Sequence, residues 1–361
     1  MTPPTPGRAA RAPWQTPGAP APSDAGRSVP AGVPTEPGTV RIAVDLLGGD
    51  DAPDVVVDGA LRAVRADPDL HLLLVGPSEA ADVVLAALDP VNRARIAVRP
   101  VRAAVRMSDH PSAARDASTV RDAVAAVRDG TADALVSAGS TGATVTAAAL
   151  GLGRWPGIRH PALVATLPAL TGPVVLLDVG GSLEPRAGVL ARHAVLGAAY
   201  AAVAHAVDAP RVGLLSVGTE AGKGDRVRRA ADPVLAAEPL PRNARYVGLV
   251  EGYDVSSGAR ADVVVTDGFT GNVLLKAVEG AYAMAGGPPA GGGAPRAAAL
   301  LGVAGTVVVC HGAATADDVA SGIALAAHLW RQRAADQVAA LLAGHALKGH
   351  DHINDTEVTT P

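Results

Sequence analysis

Aromatic side chains are scarce in this chain of 361 residues. They make up 2% of it, and Phe269 is the single phenylalanine, so alanine, valine and leucine must form the hydrophobic core. Such side chains suit helices packed on a parallel sheet, whose buried strands read as continuous apolar runs. One cysteine, Cys310, excludes an intramolecular disulfide and a cysteine-based zinc site.

Basic residues are not in excess either. The formal net charge is −4, which gives no basic footprint for a nucleic acid. Lysine is rarer still, with Lys223, Lys276 and Lys348 as the only three, while the other basic residues are arginines. A lysine kept in such a chain indicates that a compact ammonium group is needed at its position, although three residues can also fall there by chance.

Long hydrophobic runs are also missing. No window reaches the ~18–20 uninterrupted apolar residues that a membrane span needs. The best stretch, residues 300–310, is too short and contains Gly302 and Gly305. The N-terminus lacks the hydrophobic core of a signal peptide. Together with the single cysteine, these features predict a cytoplasmic protein.

Composition divides the chain into four parts. Residues 1–39 are rich in proline, alanine and glycine without apolar periodicity, which predicts a disordered extension. Residues 40–346 carry the pattern of one α/β domain, with room for two lobes around one cleft. Within it, residues 286–295 predict a flexible glycine- and proline-rich loop. Residues 347–361 are predicted to form a polar tail.

Apolar runs alternate with helical patterns along the domain, which predicts an open, mostly parallel sheet with flanking helices. The predicted strands are 41–45, 71–75, 95–98, 134–137, 162–166, 174–178, 212–217, 245–250, 263–266 and 306–310. The predicted helices are 53–66, 78–88, 117–129, 141–152, 187–207, 226–237, 271–285 and 315–345. Most intervals between strands are long enough for the crossover that joins parallel strands.

Five of the predicted strands end in turns rich in Gly, Asp, Ser and Thr. These turns are residues 45–50, 137–142, 178–182, 218–225 and 267–272. Ligands of open α/β sheets bind outside the carboxyl ends of strands, where small residues let helix N-termini approach an anion. The sequence therefore predicts that the five turns converge on one phosphate-binding cleft.

The turn 137–142 is the strongest candidate for an anion cradle, because its glycines permit close backbone approach. Its candidate phosphate-binding residues are Ser137, Gly139, Ser140, Thr141 and Gly142. The alternative is an ordinary helix cap after a tight turn. Neither the phosphate-loop lysine pattern nor the dinucleotide-binding glycine pattern is present.

The turns 218–225 and 267–272 carry the candidate catalytic groups. In the first, Lys223 can neutralise a phosphate or an oxyanion beside Thr219, or it can simply pair with nearby carboxylates. In the second, Asp267 stands at a buried strand end, with Thr270 and Asn272 as polar contacts or as helix caps.

Further candidates stand at other strand ends. Asp45, Asp50 and Asp178 are assigned to substrate binding, and two acids on one turn are too few to predict a metal site. His311 follows the last predicted strand and can polarise a carbonyl or carry a proton, or it can be structural. Cys310 beside it is interpreted as a small buried apolar residue.

The order of these motifs resembles the phosphate acyltransferases of bacterial phospholipid synthesis, which use acyl-carrier protein as donor. The resemblance covers residues 41–335. The motifs that carry it are Val44-Asp-Leu-Leu-Gly-Gly-Asp50, Met107-Ser-Asp-His-Pro111, Val136-Ser-Ala-Gly-Ser-Thr-Gly142, Arg159-His-Pro-Ala162, Leu177-Asp-Val-Gly180, Pro210-Arg-Val-Gly-Leu-Leu215, Gly218-Thr-Glu220 followed by Lys223-Gly224, Val250-Glu-Gly252, Asp267-Gly-Phe-Thr-Gly-Asn-Val273, Leu301-Gly-Val303 followed by Gly305, and His311-Gly312.

The resemblance implies transfer of a long fatty acyl group from acyl-carrier protein to inorganic phosphate. The acyl phosphate product would serve a membrane glycerol-3-phosphate acyltransferase. The resemblance also implies a fold similar to phosphotransacetylases and isopropylmalate dehydrogenases, a homodimer, peripheral membrane contact, and no organic cofactor. Two alternatives stay open: a phosphotransacetylase-like enzyme for short acyl-CoA, and a non-catalytic homologue that binds acyl-carrier protein or a partner acyltransferase.

Several positions depart from the family pattern. Serine stands at 140 and 182 where the family usually has asparagine, Asp225 lies at a variable position, and Leu46-Leu47 replaces an Ala-Met pair. Asp116-Ala-Ser-Thr119 stands where the family has Lys-Asp-Ser-Ser. The family also has a longer, apolar helical projection where this chain has residues 286–295, so membrane docking and long-acyl handling are in question.

In the resulting hypothesis, phosphate is held by the turn 137–143 and Lys223 and attacks the thioester carbonyl directly. Asn272, Thr270 and Lys276 are candidate donors to the oxyanion, and Asp267 or His311 assists proton movement. Three arginines after Lys223 (Arg226, Arg228 and Arg229) can form a docking patch for the acidic carrier protein, or a solvated helix face.

Overall fold

A computed structural model describes residues 38–105, 108–110, 112–113, 116–183, 186–287 and 297–345. The predicted N-terminal extension apart from its last two residues, the loop from residue 288 onwards and the predicted tail therefore lie outside the described residues.

Strands and helices mostly alternate along the described chain. The strands are β1 (Val40–Asp45), β2 (Leu70–Gly76), β3 (Ile96–Pro100), β4 (Ala134–Ser137), β5 (Ala162–Leu167), β6 (Val174–Leu177), β7 (Arg211–Leu215), β8 (Arg245–Val250), β9 (Val263–Val265), β10 (Ala297–Leu301) and β11 (Thr306–Cys310). The helices are α1 (Asp54–Ala66), α2 (Ser78–Ala86), α3 (Pro90–Arg93), α4 (Thr119–Arg128), α5 (Thr141–Gly151), α6 (Ala187–Ala204), α7 (Arg226–Ala237), α8 (Gly252–Ser257), α9 (Gly268–Met284), α10 (Ala316–Arg331) and α11 (Ala334–Ala343).

In the described part of the chain, the strands form one sheet in the order β3-β2-β1-β4-β11-β10-β5-β6-β9-β7-β8. The first five strands of this order run parallel to one another, and so do the last four. Between the two blocks, β10 and β5 pair antiparallel with each other and with their outer neighbours. The two parallel blocks therefore point in opposite directions, and the predicted open, mostly parallel α/β sheet is confirmed.

Helices cover both faces of the sheet. One hydrophobic cluster joins β-strand side chains to α1, α2, α6, α7, α10 and α11, and a second joins the other face to α4, α5, α8 and α9. Helix α6 is long and apolar enough to cross a membrane, but 67% of its residues are buried inside the fold. It is therefore the central core helix of its face.

Four elements differ from the sequence-based expectation. Strand β10 was not expected, because Ala297-Ala-Ala-Leu-Leu301 lacks β-branched side chains; pairing on both of its edges makes it a strand. The predicted helix 315–345 divides into α10 and α11 at Arg333, whose backbone is left-handed (φ 51°). The short helices α3 and α8 are too brief to give a periodic pattern.

Candidate active site

The turns after β1, β4 and β11 are fastened to one another at the carboxyl ends of neighbouring strands. The Asp50 N–H donates to Gly312 O at 2.8 Å. A Cβ atom at Gly48 would lie 2.7 Å from Gly139 N and 2.9 Å from Ser137 Oγ, so only glycine fits there. The first block thus presents one rigid rim made of three turns.

Asp45 and Ser137 stabilise this rim from within. Both are buried, and Ser137 Oγ donates to Asp45 Oδ2 at 2.8 Å while it accepts the Gly139 N–H at 3.0 Å. Burial raises the pKa of Asp45, although hydrogen bonds from Thr119 and Ser137 oppose the shift. The side chains of Asp45 and Ser137 are thus occupied by hydrogen bonds that fix the shape of the turn. Asp50 contributes to the rim through its backbone N–H.

Helix α5 begins directly at the rim. Ser140 is its N-cap, with Oγ accepting the Ala143 N–H at 3.5 Å. The first amide groups of a helix have no partner within it, so the Thr141 and Gly142 N–H groups are directed out of the helix start. Thr141 and Gly142 are half-buried, so the geometry of this helix start allows an anion to approach its N–H groups.

Asp178 organises the loop after β6. Its carboxylate accepts four backbone N–H groups, from Leu163, Gly180, Gly181 and Ser182, at 2.7–3.1 Å. Burial raises its pKa, against the opposing effects of His193 and these bonds. Because a carboxylate already fills this nest of donors, Asp178 shapes the loop and leaves no room there for a phosphate.

The two blocks meet at Gly180 of this loop. Its φ is +143°, and an ideal Cβ there would lie 3.4 Å from Asn272 Nδ2 and 3.8 Å from Thr141 Cγ2. Asn272 also donates to Val179 O at 3.0 Å.

Asp267 is bound by a buried arginine. Arg228 donates to Asp267, to Thr266 Oγ1 at 3.1 Å and to Leu215 O at 2.9 Å. Although burial raises the pKa of Asp267, hydrogen bonds from Thr270 and the Arg228 charge lower it below its ordinary value. Asp267 therefore stays ionised as the cap of α9, and the expectation that Arg228 belongs to a surface docking patch is wrong.

Lys223 and Thr219 lie exposed in the loop after β7. The Lys223 stem packs on Gly218, whose ideal Cβ would meet its Cγ at 3.2 Å. Strand β7 belongs to the second block of the sheet, and β4 to the first. The five turns therefore form two groups that meet at Gly180, with Lys223 in the second group, and its part in phosphate binding stays a prediction.

Helix α9 carries a polar stripe toward the first block. Asn272, Lys276 and Glu279 share one face by their helical spacing. His311 Nε2 lies 3.4 Å from Glu279 Oε1 across the block boundary. Burial lowers the pKa of His311, and the Lys276 charge lowers it further. Lys276 therefore lies close enough to the rim to act on the charge of His311.

Sequence reasoning missed three residues of this arrangement. Arg228 was interpreted as a surface group, since an arginine after an exposed loop gives no sign of burial. Gly180 was seen only as a turn residue, because its contact with Thr141 depends on the strand order. Glu279 had a visible signal: it is the only acidic residue of α9.

Comparison with known families gives a consistent result. The family model described as fatty acid synthesis protein matches residues 40–287. The phosphate acyltransferase of Thermobifida fusca (strain YX) is 41% identical over 334 residues, covering 84% of this chain and 91% of that protein. The phosphate acyltransferase of Rhodobacter capsulatus is 37% identical over 359 residues, covering 89% and 88%.

Solved structures agree on the fold. A phosphotransacetylase from Streptococcus pyogenes superimposes with a TM-score of 0.58 at 20% identity, covering 81% of this chain and 94% of that one. The EutD phosphotransacetylase from Staphylococcus aureus gives 0.54 at 18% identity, covering 84% and 96%. At such identities the likeness concerns the fold alone.

Proposed function

Since this chain belongs to the phosphate acyltransferase family, we propose that it transfers a long fatty acyl group from acyl-carrier protein to inorganic phosphate. The observation that supports this proposal most is the meeting of two helix starts. Thr141 at the start of α5 and Asn272 in the first turns of α9 both approach Gly180. An anion and a polarised carbonyl can therefore be held side by side.

Phosphate binds at the start of α5 in this proposal. The N–H groups of Thr141 and Gly142 donate to its oxygens, and the partial positive charge of the helix start favours the anion. Lys276 supplies the nearest full positive charge on the facing helix, since it already acts electrostatically on His311. Ser140 keeps the helix start open by capping Ala143.

The reaction needs no protein nucleophile. A phosphate oxygen attacks the thioester carbonyl carbon, the carbon–sulfur bond breaks, and its electron pair leaves with the sulfur. Asn272 uses one amide proton on Val179 O and has a second for the oxyanion. Positioning of the two reactants contributes up to ~7–11 kcal/mol, and each oxyanion donor contributes ~2.7–4 kcal/mol.

An apolar surface beside this site suits a long acyl chain. Phe269 is 64% exposed and Val273, one turn later on α9, is 55% exposed. Leu183, 66% exposed, adjoins them because Gly268 N–H donates to Ser182 O. Exposed apolar clusters of this kind mark binding surfaces. We assign this one, the α9 apolar cluster, to the acyl chain.

The partners follow from this chemistry. Acyl-carrier protein is acidic, so a basic surface suits its docking. Of the three arginines predicted to form that surface, Arg226 and Arg229 are exposed on α7, whereas Arg228 is buried. The acyl phosphate is consumed by a membrane glycerol-3-phosphate acyltransferase, so the enzyme works in the cytoplasm with peripheral access to the membrane. We propose a homodimer as the working form.

The test is incubation of the purified protein with palmitoyl-carrier protein and radiolabelled phosphate. Labelled acyl phosphate, formed in step with free carrier thiol, is the expected product. Acetyl-CoA and butyryl-CoA as parallel donors test the short-acyl alternative, which preferred turnover of either would favour. Carrier binding without any phosphate-dependent thioester cleavage would favour the non-catalytic alternative and refute acyl transfer.

A further inference from the structure

Helix α9 has two charged residues in seventeen positions: Lys276 lowers the pKa of His311, and Glu279 Oε1 lies 3.4 Å from the His311 Nε2. The remaining positions are apolar, small or uncharged polar. The side chains of Glu279 and His311 are 24% and 30% exposed, so their pairing is partly shielded from water. The Glu279 carboxylate therefore lies against the first block of the sheet, with His311 as its neighbour.

The backbone of His311 is held in place while its ring lies beside Glu279 across the block boundary. The neighbouring Gly312 O accepts the Asp50 N–H at 2.8 Å, which ties the peptide to the rim. The ring Nε2 faces Glu279 Oε1 at 3.4 Å. Catalytic hydrogen bonds are often this long without substrate and shorten in the reacting complex.

We propose that Glu279 is a positioning residue, whose carboxylate accepts the Nε2–H of His311 and so leaves Nδ1 unprotonated toward the phosphate site. This inference rests on the proposed function and adds a residue to it. It assigns to His311 the proton movement of the reaction, with Glu279 acting only through the imidazole. A hydrogen bond at one ring nitrogen is what selects the tautomer at the other.

The proton balance of the step is complete. As an oxygen of dihydrogen phosphate attacks the carbonyl carbon, its proton moves to Nδ1 of His311. The tetrahedral intermediate then collapses, the carbon–sulfur bond breaks, and Nδ1 gives the same proton to the leaving sulfur. Acyl phosphate and carrier thiol are formed, and His311 returns to its neutral form.

The charges around His311 suit this cycle. Lys276 on α9 lowers the pKa of His311 together with burial, whereas Asp318 on α10 raises it. Asp50 on the neighbouring turn is exposed to solvent. The Glu279 carboxylate stabilises the positively charged ring of His311 that forms during the reaction and so offsets the repulsion from Lys276. Its removal should therefore lower the pKa of His311, because Lys276 and burial remain.

The experiment compares the wild type with Glu279→Gln, Glu279→Asp, His311→Ala and the double variant Glu279→Gln/His311→Ala. Glu279→Gln should lower kcat by about 10–100-fold with little change in the KM for phosphate. In the pH profile, the limb on which kcat rises with increasing pH should move to lower pH. Glu279→Asp should regain part of kcat. Glu79→Gln, at an exposed position of α2, is the matched control and should behave as wild type.

The double variant separates positioning from structure. If Glu279 acts through His311, Glu279→Gln adds no further loss in the His311→Ala background. The proposal would be overturned if the two losses in kcat multiplied in full in the double variant. It would also be overturned if Glu279→Gln left the pH profile of kcat unmoved. NMR titration of the His311 ring needs no substrate: a lower pKa in Glu279→Gln supports the pairing even if the wild type forms no acyl phosphate, and an unchanged pKa rejects it.

Discussion

Replacement of Arg228 by methionine tests how the second block is held together. The guanidinium lies buried where α7, β7, β9 and α9 meet, and it bonds Asp267, Thr266 and Leu215. Methionine has a similar length but no charge, so Asp267 is left as a buried, unpaired carboxylate. Removing one partner of a buried ion pair costs ~3–5 kcal/mol.

Arg228→Lys is the matched control, because it keeps the charge but not the planar fork that reaches five acceptors. It should lose about 1.5–3 kcal/mol, the range of a hydrogen bond to a charged group. We expect the free energy of unfolding, measured by urea denaturation at neutral pH, to rank wild type above lysine above methionine.

The pH dependence adds a second requirement. The folded-state pKa of Asp267 is lowered, so its contribution to stability is present above the unfolded value near ~3.9 and is lost as the pH falls through the folded pKa. In Arg228→Met, burial raises this pKa with less opposition, and Asp267 can take up a proton. The stability difference between wild type and Arg228→Met should thus be larger at about pH 7 than at about pH 4.5. A difference that is absent, or equal at both pH values, would refute the reasoning.

Three further substitutions test the site. Gly180→Ala forces a side chain into a backbone with φ +143° and within 3.4 Å of Asn272, so kcat should fall at least about tenfold while the fold melts only slightly earlier. Lys276→Ala should raise the KM for phosphate about tenfold or more, whereas Lys223→Ala should change it less than about threefold; the reverse order in a steady-state assay would return Lys223 to the site. Phe269→Ser should weaken turnover of a palmitoyl donor more than of a butyryl donor, and equal effects would remove the α9 apolar cluster from acyl binding.

Much of the fold was predictable because its signals are local. Apolar runs ending in Gly and Asp indicate strands of a buried parallel sheet, and the helices between them follow from their periodicity. Strand β10 was not predictable in the same way, since its alanine-rich segment becomes a strand only through the partners on either side.

The site was predictable in part. The helix start at Thr141 and the polar turn at Asn272 could be identified from their turn chemistry. The division of the five turns into two groups could not, because it depends on strand order and on the reversal of direction between the blocks. Arg228 and Glu279 depend on pairing across elements, which a single sequence does not display.

The most direct test of phosphate binding at the start of α5 is a comparison of Thr141→Pro with Thr141→Val. Proline is well accepted at the first helical position, and the extended Ser140 before it (ψ 118°) permits it, so Thr141→Pro removes one N–H without breaking the helix. Thr141→Val removes the hydroxyl and keeps the N–H. The account predicts that the KM for phosphate rises about tenfold or more in Thr141→Pro and stays within about threefold of wild type in Thr141→Val. Equal KM values for the two variants, with both folded, would contradict it.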